Sequence, residues 1–255
     1  MKNEMMLEQY FKSWIETYKA PVVAQATYVK YLNTLKQIRK FFGDAPLTQI
    51  TATSYQQVIN EYSKTHSKLT VSCFHKQIHA CLLDCVDEQI IKIDPSRKAI
   101  ITGRENEKEK VKCLDYDEWT ALVIATFNAS NIRGQIIYLS AVTGLRYAEV
   151  LGLTWDNVDF QNNRLTVNKT WDYKYHNGFI ATKNRSSKRQ IDIDDNTIAM
   201  LSRLYIQRVN DEANPNGLVF LYSEGKQLYS ANTNRYLSQL CETIGIRRMS
   251  RDTLK

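Results

Sequence analysis

The chain has 255 residues, and its hydrophobic content of 43% can fill the core of one large domain or of two modest ones. Its net charge of +7 favours a polyanionic partner without specifying one. It has no apolar run near the roughly 18 residues that cross a bilayer, which excludes a helical membrane protein. The N-terminus lacks the apolar centre of a signal peptide, and five cysteines without framework spacing indicate reduced thiols, so we expect a cytoplasmic protein.

Residues 1–100 are predicted to form a compact helical bundle. Apolar residues recur at helical spacing in four segments, and Thr or Ser of TATSYQQVINEYSK is available as an N-cap for the third. The segments lie before Pro21, from about Gln25 to Phe42, from about Thr51, and from about Thr70 to Ile90. Gly43 ends the second helix and Pro95 closes the set.

A charged segment follows the predicted bundle. Residues 101–112, ITGRENEKEKVK, are polar and poor in apolar side chains. We interpret them as an exposed linker between two domains, 1–100 and 113–255. A charged surface loop within a single domain is the alternative.

The chain after the linker is predicted to mix helices and strands. Asp115 and Glu118 have the spacing of a capping box at a helix start. NRLTVNKT, GFIAT and RQIDID alternate as strands do, and helices are predicted from Asp195 to Val209 and from Asn232 to Ile244. The fold class is therefore α+β, mainly α, with a small antiparallel three-stranded sheet among helices.

Arg146 occupies an unusual place in TGLRYAEVLGLTWDNVDF, at the start of a Leu-rich amphipathic helix directly after a glycine turn. The i,i+3 spacing puts Glu149 on the same face, one turn further along. A guanidinium held in this way is a preorganised fork for two phosphate oxygens. The alternative is a surface Arg–Glu pair of little energetic consequence.

A second basic motif, TKNRSSKRQIDI, lies between two predicted strands. Lys183, Arg185, Lys188 and Arg189 fall within seven positions there. A basic hairpin tip can contact backbone phosphates, and a lysine in it can donate a proton to a leaving oxygen. A solvated turn is the alternative.

Taken together, the motifs read T-G-L-R-x-x-E-x-x-x-L-x-W-x-x-V-D, a strand pair, and then T-K-x-x-x-S-x-R-x-I. This order resembles that of the tyrosine recombinases and is closest to the phage and conjugative-transposon integrases of mobile elements. The matching residues are Thr143, Gly144, Leu145, Arg146, Glu149, Leu153, Trp155, Val158, Asp159, Thr182, Lys183, Ser187, Arg189 and Ile191.

The resemblance implies an enzyme for DNA integration and recombination. Such enzymes clamp a duplex attachment site between a SAM-like helical core-binding domain and a catalytic domain. A tyrosine attacks the scissile phosphate and forms a 3′-phosphotyrosyl link. No metal or other cofactor is needed, because the covalent link conserves the phosphodiester energy.

The resemblance also assigns roles to residues and partners. Arg146 stabilises the transition state, Glu149 orients Arg146, and Lys183 is the general acid for the 5′-oxygen. Other basic residues are expected to contact DNA or support the hairpin: Arg185, Lys188 and Arg189. The complete enzyme works as a tetramer on DNA in the bacterial host cytoplasm or nucleoid, and this polypeptide is expected to be a monomer.

The second motif of the family, His-x-Leu-Arg or a near variant followed by the tyrosine, is incomplete. The chain closes with MSRDTLK. With Leu254 as the motif leucine, Asp252 takes the histidine position and Lys255 the DNA-contacting arginine position. We expect a chain cut inside this motif or a motif that is altered, and in either case a polypeptide that binds DNA without cleaving it.

No nucleophile is assigned, because the tyrosines nearest the motif all precede it. These are Tyr205, Tyr222, Tyr229 and Tyr236. The alternative of a different class is a non-catalytic DNA-binding regulator derived from a recombinase.

The predicted fourth helix carries two further patterns. His75 with His79, and Cys81 with Cys85, are i,i+4 pairs that can each hold a metal, but the pairs are offset around the helix and we expect none. By analogy with core-binding domains, the polar side that includes Lys76 is instead predicted to face a DNA groove.

Overall fold

The computed structural model describes residues 5–105, 113–175, 178–182, 187–208, 210, 212, 214–221, 228–250 and 254. The chain divides into two compact units, Met1–Glu109 and Lys110–Lys255. Helices dominate and the strands form small antiparallel sheets, which confirms the predicted fold class. The boundary falls within the predicted linker, while the separate roles of the two units stay predictions. Among the described residues, every helix is too short or too polar to span a bilayer.

The regular secondary structure described in the first unit is all helical. Its elements are α1 (Leu7–Trp14), which continues as a π-helical turn (Ile15–Lys19), α2 (Gln25–Phe42), α3 (Ala52–Ser63) and α4 (Lys68–Asp87). Thr51 caps α3 by accepting a hydrogen bond from the Ser54 N–H at 3.1 Å, as the sequence predicted. Gly43, with a φ of 55°, follows the end of α2.

One apolar core holds these four helices together. Each helix contributes fully buried residues, among them Phe11, Ile38, Ile59 and Ile78. Burial of each such side chain contributes about 2 kcal/mol, so the shared core stabilises the unit far more than any single surface contact. The exposed Lys76 lies on the opposite side of α4 from this core.

The first part of the predicted linker packs on the first unit. The Arg104 N–H donates to the His66 carbonyl at 2.8 Å, and Gly103 approaches the start of α4 closely. A Cβ at Gly103 would lie 2.2 Å from the backbone nitrogen of Lys68, so only glycine fits. Residues 106–112 of the prediction lie outside the described residues.

The second unit combines helices with two small sheets. Its helices are α5 (Tyr116–Phe127), α6 (Ile132–Thr143), α7 (Tyr147–Leu151), α8 (Asp195–Arg208) and α9 (Ser230–Thr243). Its strands are β1 (Val158–Asp159), β2 (Arg164–Val167), β3 (Lys169–Trp171), β4 (Phe179–Ala181) and β5 (Arg189–Asp192). The predicted capping box starts α5: the Glu118 N–H donates to Asp115 at 2.9 Å, and the Asp115 N–H donates to Glu118 at 3.2 Å.

Strand pairing differs in detail from the prediction. The three-stranded antiparallel sheet has the order β1-β2-β5, and β3 pairs with β4 in a separate hairpin. The run NRLTVNKT thus supplies two strands that belong to different sheets, with Asn168 between them. GFIAT joins the hairpin, where Trp171 and Phe179 pack edge to face with ring centroids 5.0 Å apart.

Buried residues of β2 connect the three-stranded sheet to the main core of the second unit. Leu165 and Val167 point into this core, where they join Leu145 and Val150 from the region of α7. Gly152, just after α7, lies so close to β3 that a Cβ would be 2.8 Å from the backbone of Thr170. The sheet and α7 are therefore tightly packed, and both carry residues of the candidate site.

Candidate active site

A turn between two helices positions Arg146. Helix α6 ends at Gly144, which has a left-handed φ of 65°, and α7 begins at Tyr147. Leu145 between them is buried and anchors the turn to the core. Arg146 is the N-cap residue of α7, and its side chain is 56% exposed. The glycine turn followed by a buried leucine therefore directs this guanidinium towards solvent.

Glu149 holds Arg146 by two bonds. Its carboxylate accepts the Arg146 backbone N–H at 2.8 Å and the Arg146 Nη1–H at 3.0 Å. The Glu149 side chain is only 2% exposed. The predicted i,i+3 contact between Arg146 and Glu149 therefore exists. It differs from an ordinary surface ion pair because its acceptor is buried and also binds the Arg146 backbone N–H.

A second arginine, from a strand distant in the sequence, binds the same carboxylate. Arg189 on β5 donates from Nη2 to Glu149 Oε2 at 3.0 Å and from Nη1 to Oε1 at 3.3 Å. Its Nη1 also donates to the Ser187 carbonyl at 3.1 Å. This contact was not predicted from the sequence, since 40 positions separate the partners. The β2–β5 register, with Val167 opposite Arg189, brings them together.

The two arginines determine the ionisation of Glu149. Burial alone would raise the pKa of this carboxyl, but hydrogen bonds from Arg189, the Arg146 backbone and the Arg146 side chain outweigh burial and hold the pKa below its usual range. Glu149 is therefore ionised at neutral pH. Two guanidinium charges against one carboxylate leave a cluster with one net positive charge, which suits an anionic ligand.

The remaining predicted site residues are distributed as follows. Lys188 is exposed, next to Arg189, and Lys76 is exposed on α4 of the first unit. Three of the predicted residues lie outside the described residues, namely Lys183, Arg185 and Lys255. The structure thus brings Arg146, Glu149 and Arg189 together, and the roles of all these residues stay predictions.

Leu254, the proposed leucine of the second motif, is buried in a smaller core cluster with Leu122, Ile137 and Leu237. Arg247, in the segment that leads towards it, binds Glu118 at the start of α5, with Nε 2.6 Å from Oε1. Because α5, α6 and α9 each contribute to this cluster, Met249 and Leu254 are held on the same unit as Arg146.

The His and Cys pairs of α4 do not converge on a common centre. Cys81 and Cys85 are buried in the core, whereas His79 lies 2.7 Å from Asp94 and His75 is bonded to the Tyr55 hydroxyl at 3.1 Å. Within the described ranges, no group of three or more His, Cys, Asp or Glu side chains is arranged to hold a metal.

Comparison with known families assigns the chain to a class. The phage integrase family matches residues 112–254, and the phage integrase N-terminal SAM-like domain matches residues 6–63. Because the first match alone covers more than half of the sequence, the chain belongs to the phage integrase family, the tyrosine recombinases.

Two relatives are similar along much of their length. The integrase of Staphylococcus phage L54a is 25% identical over 260 residues, which cover 91% of this chain and 73% of the relative. A XerC-like tyrosine recombinase of Caldanaerobacter subterraneus subsp. tengcongensis is 24% identical over 213 residues, which cover 77% of this chain and 54% of the relative.

Solved integrase structures share the fold. The Tn1549 transposon integrase in complex with a circular intermediate DNA superimposes with a TM-score of 0.80 at 15% identity, covering 98% of this chain and 84% of that one. Lambda integrase bound to DNA gives a TM-score of 0.67 at 16% identity, with the same two coverages. At these identities the likeness establishes the fold of the chain.

Proposed function

We propose that the chain is the DNA-binding and catalytic part of a site-specific recombinase that integrates or excises a mobile element. Its ligand is a double-stranded attachment site. Three facts support this proposal: membership of the phage integrase family, a fold shared with integrases solved on DNA, and the net positive Arg146–Glu149–Arg189 cluster.

The proposed reaction is a reversible transfer of a phosphoryl group. A tyrosine hydroxyl of the complete enzyme gives up its proton to solvent and attacks the scissile phosphate, a 3′-phosphotyrosyl bond forms, and the bond to the 5′-oxygen breaks. Lys183 donates a proton to that leaving oxygen, and Arg146 stabilises the charge on the phosphorane-like transition state. Attack by a 5′-hydroxyl from another strand reverses these steps and rejoins the DNA, so the chemistry requires no metal or other cofactor.

The observation that carries the proposal is that Arg146 is exposed and yet held in place by Glu149. Arg146, whose side chain is 56% exposed, is held at both its backbone N–H and its guanidinium by a carboxylate that is almost fully buried. An arginine with a purely structural role would have no need to be both accessible to solvent and held in one orientation. A phosphate, by contrast, is bound best by a fork that is already oriented and still accessible.

For the 255-residue polypeptide itself we propose DNA binding without strand cleavage. The tyrosines nearest the second motif precede it, whereas the family order places the nucleophile after it. We also propose that the polypeptide is a monomer in solution, and that tetramers on DNA belong to the complete enzyme, as in the lambda integrase tetramer solved on a Holliday junction.

Binding is tested by fluorescence anisotropy with a pool of random-sequence 40-base-pair duplexes over a range of salt concentrations. We expect Arg146→Gln to weaken binding roughly tenfold and to reduce the salt slope by about one, because one phosphate contact is lost. Arg164→Gln is the matched control: Arg164 is a surface arginine of β2 paired with Asp192, and its replacement removes the same charge. Equal effects of the two substitutions would contradict a specific role for Arg146.

Cleavage is tested with nicked duplexes selected from the same pool by their affinity for the polypeptide. We expect no covalent protein–DNA adduct on a denaturing gel. An adduct would overturn the proposal that the polypeptide does not cleave and would place the nucleophile within its 255 residues. In a protein extended through a tyrosine, cleavage that disappears in Arg146→Ala supports the recombinase, and the absence of any cleavage supports the non-catalytic regulator.

A further inference from the structure

Arg189 has contacts that its place in a basic motif does not suggest. We infer that Arg189 is a positioning residue: it binds the carboxylate of Glu149 and acts through that carboxylate on Arg146. The inference rests on the proposed role of Arg146. From the sequence, Arg189 was expected to contact DNA or to support the hairpin, and the inference favours support within the protein.

The geometry of the carboxylate supports this role. Each Glu149 oxygen accepts one bond from each arginine residue: Oε1 from the two Nη1 groups, at 3.0 and 3.3 Å, and Oε2 from the Arg146 backbone N–H and Arg189 Nη2, at 2.8 and 3.0 Å. If Arg146 were the one arginine bound to Glu149, the burial of the carboxyl would favour its neutral form or a rotated side chain. Arg189 supplies the second cation that keeps the carboxylate charged and correctly oriented.

The unequal exposure of the two arginines separates their roles. Arg146 is 56% exposed, whereas Arg189 is 31% exposed and directs both of its Nη groups inward to Glu149 and Ser187. A phosphate is bound bidentately by a fork whose donors are available. Arg189 has already used its fork within the protein, so it suits the support of Arg146 better than direct contact with DNA.

The bond to Ser187 fixes the position of Arg189 itself. The Ser187 residue is buried. Arg189 Nη1 donates both to the Ser187 carbonyl and to Glu149. One guanidinium therefore joins the backbone at Ser187 to the carboxylate that holds Arg146.

A double-mutant cycle on DNA affinity tests the inference. The variants are Arg146→Gln, Arg189→Gln and the double variant, measured on the 40-base-pair duplex pool, with Arg164→Gln as the control for charge. We expect Arg189→Gln to weaken binding severalfold and to add no more than about twofold in the Arg146→Gln background, because its effect passes through Arg146. Losses that simply multiply, with a further decrease of the salt slope, would show a separate DNA contact and overturn the inference.

A second measurement does not depend on DNA. In protein labelled at the Glu side-chain carboxyl carbon, NMR titration follows the pKa of Glu149, and arginine Nε–Hε signals report the order of Arg146. We expect Arg189→Gln to raise the pKa of Glu149 and to broaden or shift the Arg146 signal, and Arg164→Gln to change neither. An unchanged Glu149 pKa and Arg146 signal would overturn the inference even if DNA binding were normal.

The two measurements separate the inference from the proposed function. If the NMR changes occur but Arg146→Gln weakens DNA binding no more than Arg164→Gln does, the proposed phosphate contact of Arg146 fails and the positioning of Arg146 stands. If Arg189→Gln does not fold, Arg189→Lys replaces it in both measurements. A lysine keeps the charge but cannot hold both carboxylate oxygens and the Ser187 carbonyl. We therefore expect a DNA affinity between those of wild type and Arg146→Gln, and a shifted or broadened Arg146 signal. Wild-type behaviour of the lysine variant in both measurements would overturn the inference.

Discussion

Glu149 is a buried carboxylate whose charge is compensated by two guanidinium groups and one backbone N–H instead of water. Burying such a charge is favourable only while its partners are in place. Its two oxygens accept hydrogen bonds from Arg146 and Arg189, which lie in two distant parts of the chain. The loss of its charge therefore affects the turn at Arg146 and strand β5 together.

We predict that Glu149→Gln lowers the free energy of unfolding by about 2 kcal/mol at pH 7, because the amide group replaces an anionic acceptor by a neutral one and directs a donor towards the arginines. Urea unfolding followed by circular dichroism measures the change. Asp192→Asn is the matched control, since Asp192 is an exposed partner of Arg164 and its loss should cost less than roughly 1 kcal/mol. Equal costs would contradict the compensated burial of Glu149.

The same residue predicts a pH dependence. The pKa of Glu149 is lower in the folded protein than its ordinary value of 4.5, so the ionised form contributes stability that is fully present above that value. This contribution is lost as the pH falls through the folded pKa. The stability difference between wild type and Glu149→Gln should thus be constant near neutrality and shrink below pH 4.5 in urea unfolding series. A difference that grows on acidification would contradict this sign.

At the scale of elements, the close approach of α7 to β3 determines where the Arg146 turn lies. Gly152 makes this approach possible, because a Cβ there would be 2.8 Å from the backbone of Thr170 and Trp171. The neighbouring atoms belong to paired strand backbone and cannot move aside as a side chain would. The glycine is therefore required by packing, and not by a left-handed backbone.

We predict that Gly152→Ala destabilises the second unit by about 2–3 kcal/mol, because overpacking forces α7 away from β3. Thermal unfolding measures the loss, and amide chemical shifts of residues 145–150 should report the displacement. Gly217→Ala is the control. Gly217 has a φ of 61° and no atom within 4 Å of the place where the added methyl group would lie. The substitution should therefore cost about 1 kcal/mol, from backbone strain alone. A smaller loss at Gly152 than at Gly217 would count against the close approach.

At the scale of the whole molecule, the two units have separate cores. The buried cluster of the first unit extends from Leu7 to Ile91, and the clusters of the second unit begin with Leu122. A unit with its own core can fold without its neighbour. The assignment of a DNA-binding role to the first unit and a catalytic role to the second stays a prediction.

We predict that a polypeptide of residues 1–105 folds by itself. Trp14 is its single tryptophan and is buried, so its fluorescence reports the core. Emission and circular dichroism should change together in one cooperative urea transition. Emission typical of an exposed indole before any denaturant is added, or transitions at different urea concentrations, would show that the first unit depends on the rest of the chain.

Local patterns in the sequence predicted much of the fold. The apolar spacing from Gln25 to Phe42 matches α2, and the Asp115–Glu118 capping box starts α5, because caps and helical faces depend on residues within one or two turns. The Arg146–Glu149 contact was predictable for the same reason. The pairing of the strands was not predictable in this way, because it depends on where the backbone turns between strands. In the structure β3 and β4 form a hairpin separate from the three-stranded sheet.

The sequence by itself therefore determined the family motifs, the helices and the i,i+3 contact of Arg146, all of which involve neighbours along the chain. Only the tertiary structure decided that Glu149 is buried and that Arg189 is its second partner. The bond between them joins residues 40 positions apart, and it forms because β5 pairs with β2 in a register that puts Arg189 opposite Val167. Such contacts follow from packing and strand register, which no local pattern of residues specifies.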